Sequence, residues 1–253
     1  MKQPGTFRFF AFIVLIAIVG LACGGGTSPT QAPAVNPPTA EPQQPDPPTE
    51  PPAQPSSPSG EDFFTEEFEG SIDNWSVFTV ADSDETNESA LSLETDGGYL
   101  IFDIPTKYLY TYVIYEGYVY DDVSVEARVD NRGTNNNNIS LLCRYSDEGW
   151  YEFNIANNGL YDILFGFENA DGTIGYQRLA DGGSNKIKSG KDVNEYKIIC
   201  KGRRLSLYIN GTETRVLEEN QHVLRDGKIG ISASSFNDPT AKVEFDWVNI
   251  SQP

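Results

Sequence analysis

Leu205-Ser206-Leu207-Tyr208-Ile209-Asn210-Gly211-Thr212-Glu213-Thr214-Arg215-Val216 alternates apolar and polar residues, breaks at Asn-Gly, and resumes. A period of two puts Leu205, Leu207 and Ile209 on one face of an extended chain and Ser206 and Tyr208 on the other. Asn-Gly between two such runs is the strongest short-range hairpin signal, because a type I′ turn needs positive φ at both central residues. The stretch predicts two antiparallel strands.

The same period extends outward in both directions. Val123, Val125, Ala127 and Val129 alternate with Ser124, Glu126, Arg128 and Asp130. Asn158-Gly159 separates Tyr151–Ile155 from Leu160–Phe165, and Asp171-Gly172 and Asp226-Gly227 mark further turns. No stretch sustains a 3.6-residue period. About eleven to thirteen strands are expected, which suits an all-β, two-sheet antiparallel jelly-roll sandwich over residues 61–253. No repeat of fixed period is present, which argues against a propeller or solenoid. In Val243-Glu244-Phe245-Asp246-Trp247-Val248 the expectation is that Val243, Phe245 and Trp247 pack inward and the acids face solvent. Trp75 is also expected in the core.

Composition narrows the function. The chain has 253 residues, 38% hydrophobic and 12% aromatic, enough for a core of one or two domains. It carries 37 acidic against 18 basic side chains, a formal charge of −19, which argues against a nucleic-acid partner because phosphate neutralisation needs clustered Lys and Arg. A single histidine and three cysteines exclude multi-His metal sites and multi-Cys zinc modules. There is no Gly-x-Ser-x-Gly elbow and no Gly-rich phosphate loop. His222, in the polar stretch Glu218–Arg225, reads as a loop residue rather than a base.

Residues 1–22 have the plan of a secretory signal peptide: Lys2 and Arg8, then an apolar run from Phe9 to Ala22. The run is shorter than a spanning helix prefers. Gly20-Leu21-Ala22-Cys23 resembles a bacterial lipoprotein lipobox, with Gly20 where leucine is usual. The resemblance implies a diacylglyceryl group on Cys23 and an extracytoplasmic protein of the cell envelope, anchored to the membrane by lipid. After Cys23 comes a linker to residue 60; between Gly24 and Gly60 lie 12 of the 16 prolines, with no aromatic or basic residue. Such a segment cannot bury enough apolar surface to offset its ordering entropy, so residues 23–60 are expected to be an extended spacer. Fully in polyproline II, it would reach about 115 Å.

The order Leu205–Gly211, Gly227-Lys228-Ile229-Gly230-Ile231, then Val243–Val248 resembles the closing strands of the concanavalin A-like lectin/glucanase superfamily. It is closest to its laminin-G-like jelly rolls and to the 3-keto-disaccharide hydrolase-type domains of bacterial lipoproteins. Leu142-Cys143-Arg144-Tyr145, a short turn, and Trp150-Tyr151-Glu152-Phe153 fit the central strands of such domains. The resemblance covers residues 61–253 and implies fold more sharply than function, since this fold hosts lectins, hydrolases and adhesion modules alike.

Cys143 and Cys200 each lie in a strand-like run, and an exported domain makes a disulfide between them the expectation. Glu244 and Asp246 have the one-residue spacing that puts two carboxylates on one strand face. Retaining glycosidases of the superfamily resemble this pattern but follow it with a further Glu. Here Asn249 stands in that place and cannot transfer a proton, so no catalytic residue is assigned.

Aromatic surface is better represented. Tyr108, Tyr110 and Tyr112 are expected to line one strand face, where flat rings with hydroxyls can hold a glycan. Trp150 at a hairpin base, with Arg144, Glu152 and Asn154, is a second candidate patch. Superfamily members often hold calcium at loop edges, which points to Asp121 and Asp122 as ligands of a structural ion. No other cofactor is expected. The sequence thus predicts a non-catalytic binding module for a carbohydrate or other cell-envelope polymer. Its alternatives are a glycoside hydrolase-like enzyme and an envelope module that binds a protein partner.

Overall fold

The computed structural model describes residues 62–253. The expected signal peptide, the lipid-bearing Cys23 and the proline-rich linker lie outside the described residues.

In chain order the strands are β1 (Phe64–Glu66), β2 (Trp75–Ala81), β3 (Ser92–Asp96), β4 (Tyr99–Ile104), β5 (Leu109–Tyr115), β6 (Val123–Asn131), β7 (Asn137–Ser146), β8 (Gly149–Ala156), β9 (Leu160–Glu168), β10 (Ile174–Gly183), β11 (Val193–Lys201), β12 (Arg204–Ile209), β13 (Thr212–Glu218), β14 (Lys228–Ser235) and β15 (Ala241–Ser251). One 3-10 turn, Glu88–Ala90, is the sole helical element among the described residues. An eight-stranded sheet runs β13-β12-β11-β6-β15-β4-β3, with β1 also paired to β15. A seven-stranded sheet runs β10-β9-β8-β7-β14-β5-β2, and every pairing in both is antiparallel. The all-β jelly-roll sandwich is as expected, with more strands than the turn signals alone marked, because short edge strands such as β1 and β3 carry little periodic pattern.

The core is what period-two burial produces. Val123, Val125, Ala127 and Val129 of β6, and Leu205, Leu207 and Ile209 of β12, all point inward and are buried. From the facing sheet come Ile139 and Leu141 of β7, Phe153 and Ile155 of β8, and Ile229 and Ile231 of β14. Asn210 and Gly211 take φ of 47° and 75°, the positive pair a type I′ turn requires. Cys143 of β7 and Cys200 of β11 form the expected disulfide, a covalent staple between the two sheets.

Of the register slips in the two sheets, those on β15 and β7 change where expected residues point. On β15 the register slips between Phe245 and Trp247, so the inward set is Val243, Phe245, Val248 and Ile250. Trp247 is turned out and half-buried, contrary to the inward packing that strict alternation predicts. On β7 the register slips after Cys143, and Arg144 takes φ of 57°. That second bulge decides where Arg144 goes. Trp75, as expected, is in the core.

Candidate functional site

The outer face of the seven-stranded sheet holds the site. Strand register sets three rows across it. One row runs Val80, Tyr110, Ser234, Asn138. The next runs Phe78, Tyr112, Ser232, Ser140, Asn154, Asp162. The third runs Ile114, Gly230, Leu142, Glu152, Leu164, Arg178. Alternation gives all of these one face, while their neighbours fill the core. Strand β14 contributes only Gly230, Ser232 and Ser234 to it, so the middle of the face is low and the tyrosines of β5 stand beside it as a bank. A Cβ at Gly230 would lie 2.5 Å from Ile114 Cδ1, so a larger residue there would have to push that side chain aside.

The resulting cleft has a volume of about 350 Å³. Tyr110, Tyr112 and Tyr176 form its aromatic side, and Asp82, Asn138, Asn154, Asp162 and Arg178 its polar side. Phe78, its neighbour on β2, stacks on Tyr112 with ring centroids 4.7 Å apart and planes 9° from parallel, which fixes the Tyr112 ring from the side. Arg178 Nε is 2.7 Å from Asp162 Oδ1, so the one guanidinium lining the cleft is already paired.

Glu152 lies at the bottom, 1% exposed. Ser140 Oγ donates to Oε1 at 2.7 Å and Asn154 Nδ2 reaches the same oxygen at 3.5 Å. Tyr112 donates to Oε2 at 3.1 Å and Trp150 Nε1 donates to it at 3.2 Å. A carboxylate has about four lone-pair sites, and here four donors meet them. Burial pushes the Glu152 carboxyl above the ordinary range, and the four donors pull the other way. Tyr112 and Tyr176 hydroxyls are 2.7 Å apart. Since Tyr112 gives its proton to Glu152, Tyr176 gives its own to Tyr112 and keeps lone pairs for whatever enters the cleft. Burial first, and the Glu152 charge after it, raises both phenols, so both stay protonated at neutral pH.

Several predicted residues converge here and others do not. Tyr110, Tyr112, Glu152 and Asn154 all line the cleft. Tyr108 does not join them: it precedes β5 at φ of 54°, which breaks the alternation that would have aligned it. Trp150 is 3% exposed and lies on the same face, over Gly166 and covered by Tyr112, Tyr145 and Tyr176, as a support for Tyr112 and Glu152 rather than a contact surface. Arg144 is carried off the face by its bulge. Its Nη1 donates to Gly202 O and Leu224 O, both at 2.6 Å, and its Nε to Asp121 O at 3.2 Å, tying three loops at the end of the sandwich.

Asp121 and Asp122 serve that knot. Asp121 gives Arg144 its backbone carbonyl, and Asp122 Oδ1 accepts from Gly202 N–H at 2.7 Å. Asp122 Oδ1 also lies 3.5 Å from Arg144 Nη2, so a cationic side chain already stands beside that carboxylate. Among the described residues no three His, Cys, Asp or Glu side chains are grouped to hold a metal. Glu244 and Asp246 face outward from the other sheet, salt-bridged to Arg132 at 3.0 Å and Arg128 at 2.9 Å. Asn249 donates to Thr65 Oγ1 at 2.7 Å. His222, in its loop, stacks on Phe165 at 3.6 Å.

Sequence reasoning missed Asp82, Asn138, Asp162, Tyr176 and Arg178. Asn138, Asp162, Tyr176 and Arg178 alternate correctly within their own strands and Asp82 follows the end of β2, but only the pairing of β10 with β9 and of β7 with β14 brings them to the same cleft.

Residues 64–251 match the family model described as the 3-keto-alpha-glucoside-1,2-lyase-like domain. No curated protein matches the chain. Solved structures resemble it in fold. A Bacteroides ovatus mixed-linkage glucan glycoside hydrolase of family 16, in complex with its product, aligns with a TM-score of 0.54 at 10% identity over 74% of this chain and 99% of that one. The Bacillus licheniformis β-glucanase gives 0.53 at 11% identity over 76% and 99%. A Bacillus subtilis protein of unknown function with a galectin-like fold gives 0.56 at 10% identity over 76% and 97%.

Proposed function

The chain belongs to the 3-keto-alpha-glucoside-1,2-lyase-like domain family, and from that premise we propose that the cleft on its seven-stranded sheet binds carbohydrate. The observation that carries this is the pairing of an aromatic bank, Tyr110 and Tyr176, with a polar side of Asp82, Asn138, Asn154 and Asp162. Aromatic rings take the apolar face of a sugar, and polar groups around them take its hydroxyls. Binding without catalysis is favoured by Glu152. Its lone pairs are committed to Ser140, Asn154, Tyr112 and Trp150, and at 1% exposure it cannot hand a proton to a ligand.

A second reading, 1,2-elimination on a 3-keto-α-glucoside, draws on the family description alone. It needs a base at the sugar, and of the cleft carboxylates Asp82 is the one with neither burial nor a cation on it. Calorimetry of the protein with glucosides and their 3-keto forms, with product release followed in parallel, separates the two. Heat without turnover supports binding. Turnover abolished by Asp82→Asn assigns the elimination, and no response to either sugar class sinks both.

The folded head is proposed to stand at the bacterial envelope on its proline-rich spacer, held by lipid on Cys23. Incorporation of a labelled fatty acid into the full chain, lost in Cys23→Ala, tests this.

A further inference from the structure

Asn138 is a polar side chain inside the cleft whose bonding is unfinished. It is 1% exposed, and its Nδ2 has no hydrogen-bond partner. Its Oδ1 accepts from the Ser234 hydroxyl, so the amide nitrogen is the end left over. Leaving a buried donor unpaired costs about 1–3 kcal/mol. The same face shows that the fold can satisfy its polar groups, since Glu152 nearby meets four donors. Register places Asn138 directly opposite Ser234 and two strands from Tyr110, in the row next to that of Asn154. Asn138 lines the cleft, and the broad χ2 well of Asn lets the whole amide plane turn to meet a ligand oxygen there.

The charge around it selects what can accept. Asp82, Glu152 and Asp162 line the cleft against Arg178 alone, and Arg178 is bound to Asp162 at 2.7 Å. An anionic sugar would meet unbalanced negative charge there, whereas an uncharged hydroxyl or carbonyl oxygen accepts a hydrogen bond without that repulsion.

Resting on the carbohydrate reading above, we propose that Asn138 is a specificity-determining residue whose Nδ2 donates to an oxygen of an uncharged sugar. Asn138→Asp keeps shape and the acceptor for Ser234 but puts a negatively charged oxygen in place of the donor, so Asn138→Ala, which removes the donor without adding charge, is measured beside it. Asn138→Ser serves if the aspartate variant fails to fold. The probes are trehalose, laminaritetraose and tetragalacturonate, read by calorimetry, with the Asn138 side-chain amide followed by NMR in the wild type.

The expected result is binding of a neutral probe with a shifted Asn138 amide signal, and a Kd raised at least tenfold in the variant. A neutral probe that binds both proteins equally overturns this inference and leaves the cleft reading standing. Tetragalacturonate binding more tightly than either neutral probe overturns the selection of uncharged sugars. A wild type silent toward every probe removes the cleft reading and this inference together.

Discussion

Tyr112 donates its hydroxyl to Glu152 Oε2 at 3.1 Å across forty residues of sequence. Through the Tyr112 oxygen the link passes to Tyr176, 2.7 Å away, so one buried carboxylate orients a hydroxyl at the surface of the cleft. Tyr112→Phe keeps the ring on Phe78 and removes both bonds. Urea unfolding should show a loss of about 1–3 kcal/mol, the cost of a buried acceptor left short of a donor. Sugar affinity should fall with it, because Tyr176 is no longer held.

Glu219 gives a pH dependence. Burial alone would raise its carboxyl, but the Tyr151 hydroxyl at 2.6 Å and the backbone N–H groups of Gln221, His222 and Val223 outweigh it and hold it below the ordinary value. A carboxylate lowered in the native state adds stability that is complete above its unfolded pKa and is lost as pH falls through the folded one. Glu219→Gln should therefore lower the melting temperature at neutral pH, and the gap to wild type should close on acidification. Glu152, raised by burial, should behave oppositely, so that wild type gains on Glu152→Gln as pH falls.

Gly166 is where the support of the site is tightest. A Cβ there would lie 2.2 Å from Trp150 Cε2. Gly166→Ala should push the indole off Glu152, cost about 1–3 kcal/mol, and weaken sugar binding. Tryptophan fluorescence and a thermal melt of the same sample test it. An unshifted spectrum with wild-type stability would mean that the sheet yields instead of the ring.

The Cys143–Cys200 bridge spans 57 residues and joins the sheets. On the chain-entropy model, closing a loop of that length destabilises the unfolded state by about 4 kcal/mol. Reduction and alkylation should move the urea midpoint down accordingly. An unchanged midpoint would show that apolar packing between the sheets is sufficient alone.

Part of this protein is legible in one dimension. The alternation at Leu205–Ile209 and Val123–Val129, with Asn210-Gly211, determined strands, faces and a hairpin, because a period of two and positive φ are local properties. The expectation of export, with two cysteines in strand-like runs, pointed to the disulfide, a reading that needed no knowledge of register. Tyr110, Tyr112, Glu152 and Asn154 were also found in sequence, since each announces its face within its own strand.

What alternation could not carry is phase across a defect and register between strands. One extra residue at the β7 bulge sent Arg144 from the proposed patch to a loop knot, and one on β15 turned Trp247 out. Asn138, Asp162, Tyr176 and Arg178 became neighbours of Glu152 only when β7, β8, β9 and β10 paired. A hydrogen bond or a cleft wall depends on a few ångströms between strands far apart in the chain. Such distances are set by the packing of two whole sheets, so only the tertiary structure decided them.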